Sequence, residues 1–171
     1  MTEDLVFDLG LHKGEDTVFY LKKGYRVVAI EADPDLAAAC RHRFRPEIDR
    51  GALHIIEGAI VAVNGRKDGS IKFYKNLQES LWGSTEATWR DRNAQLGAIS
   101  TEIEVPRVDF GAVLRRYGMP YYMKIDLEGA DRLALAYLQD FDERPKYLSI
   151  EDEKVDFSRL LADLDLLWRL G

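Results

Sequence analysis

The chain has 171 residues, of which 46% are hydrophobic and 32% charged, which suits one folded domain over 1–171 and excludes a disordered segment. A net charge of -6 argues against a nucleic-acid partner, since phosphate binding needs a basic footprint. No apolar run approaches the roughly 18 residues of a membrane span. MTEDLVFDLG is not a signal peptide, and the single Cys40 allows no internal disulfide, so a soluble, cytoplasmic protein is expected.

Short apolar runs alternate with helical patterns. Leu5 to Leu9 reads as a strand, followed by a helix that Asp16 caps and Gly24 stops. Arg26 to Ile30 is a second strand ending at Glu31. Asp33-Pro34 then starts a helix with Leu36, Cys40 and Phe44 on one face. Leu53 to Glu57 is the third strand. Ser70 to Lys75 alternates like a further strand, and residues 76–106 read as a polar substrate loop or insertion holding Trp82 and Trp89. Within it, Glu102 opens a strand that continues to Val108. Asp109 caps a helix to Gly118. Tyr121 to Ile125 is a strand leading to Asp126, Leu133 to Leu138 is helical, and Tyr147 to Ile150 is a strand leading to Glu151. The last helix carries Phe157, Leu160, Leu161, Leu164, Leu167 and Trp168 on one face. This alternation predicts an α/β fold: a doubly wound, mostly parallel, Rossmann-like sheet.

In such sheets ligands bind beyond the carboxyl ends of the strands. Gly10 permits a sharp turn after the first strand, and Gly14 permits close approach of a ligand to the backbone. The places of a G-x-G-x-x-G dinucleotide fingerprint hold His12 and Glu15, and no Gly-Lys-Ser/Thr occurs, so nicotinamide and P-loop nucleotides are disfavoured. Glu31, about 20 residues on, stands where an acid accepts ribose hydroxyls; otherwise it is a solvated strand-end acid. Asp126, Glu128, Glu151 and Asp152 converge at the next strand ends. Their mutual repulsion calls for a cation, a metal or a raised pKa, unless Asp131 and Asp152 merely cap helices. Magnesium would suit these oxygens, but no metal is expected as a resident ligand.

The run VFDLGLHKGEDTVFYLKKGYRVVAIEADP, with MKIDLEGAD and YLSIED, resembles the FkbM family of methyltransferases over nearly the whole chain. The resemblance implies a class I fold that binds S-adenosylmethionine and methylates a hydroxyl of a small molecule, sugar or glycan. By position it implies that Asp8, Gly10 and Gly14 shape the methionine pocket, with Asp16 and Thr17 near its end. Glu31 would hold the ribose beside Ala32, and Glu57, Gly58 and Ala59 would line the adenine edge. Asp126 would face the reaction centre, framed by Glu128 and Gly129. Asp126 and Glu128 are the candidate general bases, and His12 a third. Class I folds add two strands after the last helix, and the resemblance implies a sheet without them over these residues, as a truncated or a naturally short form. A homo-oligomer or partner chain would then cover the open sheet edge, and a non-catalytic cofactor-binding module is the alternative.

Overall fold

The computed structural model describes residues 2–77, 83–151 and 157–171, without the side chains of Trp89 and Arg159. Five strands form the main sheet: β1 (Thr2–Leu9), β2 (Arg26–Glu31), β3 (Leu53–Glu57), β7 (Pro120–Ile125) and β8 (Tyr147–Ile150). Their order is β3-β2-β1-β7-β8, and every pair is parallel. The winding reverses between β1 and β7, and such a reversal opens a crevice at the strand ends.

Helices cover both faces, which is why the central strands read as continuous apolar runs. On one face, Val6, Val27, Ala29 and Leu53 pack with Cys40 and Phe44, under α1 (Glu15–Lys22), α2 (Pro34–Arg43) and α3 (Arg45–Asp49). On the other, Phe7, Leu9, Val28, Ile30 and Met123 pack against α5 (Phe110–Tyr117) and α6 (Asp131–Leu138). There the Phe110 ring meets Phe7 and Tyr137 edge-on, at 6.0 and 5.9 Å.

Two helix starts follow from the sequence. Asp33 accepts a hydrogen bond from the Asp35 amide at 2.9 Å, and Asp109 accepts one from Ala112 at 3.3 Å. Asp16 does not cap α1. The cap position is Gly14, in left-handed backbone, and Asp16 sits in the first turn with its carboxylate drawn to a lysine. Residues 76–106 hold α4 (Ala87–Gln95) and most of β6 (Ser100–Val108) rather than a long irregular loop.

β6 belongs to a second sheet of order β4-β6-β5, with β4 (Ala59–Ile60) parallel and β5 (Ser70–Asn76) antiparallel to it. This sheet stands beyond the ends of β2 and β3, where Ala59, Phe73 and Val105 cluster with Ala32. Gly58 alone separates β3 from β4, and its amide donates to the Glu31 carbonyl at 2.8 Å. One residue thus carries the chain from the main sheet to the small one.

After β8 comes α7 (Phe157–Leu170). Leu166, Leu167 and Leu170 pack inward, while Phe157, Leu161, Leu164 and Trp168 are exposed. The expected single apolar face therefore splits into an inner and an outer stripe. Among the described residues β8 has no neighbour on its outer edge, and no helix is long and apolar enough to cross a membrane.

Candidate cofactor and methyl-acceptor site

An open cleft lies at the carboxyl ends of β1, β2 and β7, roofed by the small sheet. Gly10, Glu31, Ala32, Gly58, Ala59, Asp126 and Glu128 all line it. Asp8, Gly14, Asp16 and Thr17 lie beside it and do not.

Gly10 is required by geometry. Its φ is +89°, and an added Cβ would lie 1.9 Å from the Asp126 carbonyl oxygen. The turns after β1 and β7 therefore touch backbone to backbone. Gly14 makes room for a side chain rather than a ligand, because its Cβ would meet the Phe44 ring at 2.5 Å.

Glu31 is buried at the end of β2. Its two carboxylate oxygens accept from the amides of His12 at 2.7 Å and Asp33 at 2.8 Å. Burial pushes this carboxyl up to about 7 despite those bonds. His12 also lines the cavity, in left-handed backbone, with its ring 3.3 Å from Glu15. Glu57 turns away and pairs with Arg41 at 2.6 Å.

Burial pushes Asp8 up to about 6. It accepts from the Thr17 hydroxyl at 2.6 Å, so these two residues brace the turn from beneath. Lys124 is the residue that motif reading misses. Its ammonium lies 3.2 Å from Asp16, 3.2 Å from Asp126 and 3.7 Å from Asp8. Burial pulls the ammonium pKa down, but the Asp8 and Asp126 carboxylates outweigh this and raise it, so Lys124 stays charged. Register is the signal that could have found it: Asp8 and Lys124 are paired neighbours on adjacent strands, and Asp126 follows two residues on, along the same face.

Glu128 has φ +47°. Burial, then the Glu151, Asp126 and Asp131 carboxylates, push its carboxyl up to about 8. Asp131 accepts from the amides of Leu127 at 2.9 Å and Gly129 at 3.3 Å, so it holds this turn rather than the helix start. Asp126, Glu128 and Glu151 bring one oxygen each within 4.8 Å of one another, a spacing a divalent ion could bridge. The repulsion anticipated for these acids is already relieved by Lys124 on one side and a retained proton on the other. Trp82 and Asp152 lie outside the described residues, as does the side chain of Trp89.

The cavity is apolar along Ala32, Leu36, Ala59, Ile60 and Phe73, and among the described residues its acidic lining is Glu31, Asp33, Asp126 and Glu128, with no lysine or arginine. The fold and this crevice define a Rossmann-like α/β protein. A model of the methyltransferase FkbM domain matches residues 8–169, so the chain belongs to the FkbM methyltransferase family. A solved structure described as methyltransferase FkbM from Methylobacillus flagellatus KT is similar at 16% identity and a TM-score of 0.45, over 81% of this chain. The chain spans 29% of that protein's length. No curated protein matches the chain.

Proposed function

We propose that the chain binds S-adenosylmethionine and directs its methyl group to a hydroxyl of a small molecule, sugar or glycan. The carrying observation is the cavity lining: an apolar slot beside Glu31, with carboxylates and, among the described residues, no lysine or arginine. An adenine ring suits the slot and ribose hydroxyls suit Glu31. A diphosphate would be repelled by these acids, whereas a cationic sulfonium cofactor meets complementary charge.

When bound, the cofactor supplies an electrophilic methyl group. The chain's part is to bind and aim an acceptor hydroxyl and to remove its proton. Glu128 takes that proton as general base, while Asp126, 3.2 Å from the Lys124 ammonium, orients the hydroxyl.

Calorimetry with S-adenosylhomocysteine, with NAD as control, tests the cofactor. Micromolar binding of the sulfur ligand and none of NAD is expected. Glu31→Ala removes a charge-assisted hydrogen bond of about 1.5–3 kcal/mol, so affinity should fall roughly 10- to 150-fold. Because the carboxylate is the accepting form, wild-type affinity should also rise as pH passes through about 7. A folded wild type that binds neither S-adenosylmethionine nor S-adenosylhomocysteine would rule out the proposal.

Metal assistance is a second reading, resting on the Asp126, Glu128 and Glu151 spacing. Since Lys124 and protonation already relieve that cluster, EDTA should leave S-adenosylhomocysteine affinity and turnover within about twofold of the untreated values. A tenfold loss of turnover restored by magnesium would favour the metal.

A further inference from the structure

The small sheet meets the cavity floor at two polar contacts. At one end the Lys75 ammonium pairs with Asp33 at 3.0 Å and with Asp35, at the start of α2. At the other, the buried Ser84 hydroxyl donates to the Glu128 carbonyl at 2.7 Å. Ser84 Oγ in turn accepts from the Glu86 amide at 3.0 Å. Ser84 also extends the roof, exchanging backbone hydrogen bonds of 2.8 and 3.2 Å with Tyr74 of β5.

Glu128 needs such support. A non-glycine residue in left-handed backbone is strained and persists only where its surroundings over-determine it. Asp131 holds the amides on either side of Glu128, and Ser84 holds its carbonyl. The turn is thus pinned from the floor and from the roof.

We infer that Ser84 is a positioning residue: its hydroxyl ties the roof strand β5 to the Glu128 turn, so the roof and the proton-accepting side chain are placed as one unit. The inference rests on the proposed methyltransferase reading for its function, but the tie itself is tested without cofactor. A loosened roof would leave Glu128 free to relax from its strained turn. A correctly seated roof aims it into the cavity.

Amide hydrogen exchange, resolved by residue, tests the tie in the unliganded protein. In Ser84→Ala the amides of Tyr74 and residue 84 should exchange at least fivefold faster, and so should those of Leu127 and Gly129 across the cavity. Amides in β2 and β3 should be unchanged. Ser84→Thr, which keeps the hydroxyl, should restore slow exchange at Leu127 and Gly129. Unchanged exchange at Leu127 and Gly129 in Ser84→Ala overturns the inference, as does equal acceleration in the Ala and Thr variants. With S-adenosylhomocysteine added, wild type should gain protection in 70–76 and 126–131 together, and Ser84→Ala in 126–131 alone. If the ligand protects no segment of wild type, the cofactor reading fails, and the unliganded comparison still decides the tie.

Discussion

Glu128→Gln should slow methyl transfer by 100-fold or more, the range of a lost general base, while S-adenosylhomocysteine affinity stays within about threefold. The measurement is S-adenosylhomocysteine release across a panel of sugars, glycans and small alcohols. With a carboxyl pushed up to about 8, Glu128 is mostly protonated at neutral pH. Glutamine is then a close stand-in for the resting side chain but has no proton-accepting form. Wild-type turnover should climb about tenfold per pH unit below 8 and level off above it, as the ionised fraction does. The variant should show no such climb. A variant within threefold of wild type, or one with the same pH profile, would remove Glu128 from the role of base.

Lys124→Met should cost roughly 3 kcal/mol of stability, because it strips the cation from a carboxylate at 1% exposure. For a chain of this length that is a fall in Tm of about 6–12 °C by scanning calorimetry. The sign of its pH dependence follows from Asp8. Burial already raises that carboxyl to about 6, so its native-state stability is full below its unfolded pKa near 4 and is lost as pH rises through 6. Without Lys124 the carboxyl rises further. The gap between variant and wild type should therefore widen from pH 5 to pH 8. Lys124→Arg should recover most of the loss. A gap of equal size at both pH values would show that the buried charge is not what Lys124 serves.

The main sheet was legible in the sequence because its strands are buried on both faces and stop at acids or glycines. Leu53 to Glu57 and Tyr147 to Ile150 match β3 and β8 at both ends, and the strand-end acids Glu31, Asp126 and Glu128 meet in one cavity. That the acids need a cation, a metal or a raised pKa was legible too, but the part of Lys124 was not. Lys124 reads as one strand residue among others until β1 and β7 are placed side by side. The roof was harder to read. β4 has two residues, too few for any periodicity, and α4 is polar all round, so neither carries a pattern. The Ser84 tie depends on residues 44 apart in sequence, and no local signal marks it. In α7 a strong apolar pattern was visible, but which leucines face inward is set by α6 and the sheet beneath.

The single-residue passage at Gly58 also governs where foreign sequence can be introduced. β4 leaves the floor without a linker, and Ile60, Val108 and Phe110 return into the main core, so the roof is anchored at both ends. Excising it would open that core. By contrast, the bend from 64 to 69 exposes Asp68, paired with Arg66 at the surface, while Lys67 holds the bend to Tyr137 of α6, so Asp68 is the place for a protease site, an epitope or an inserted reporter domain.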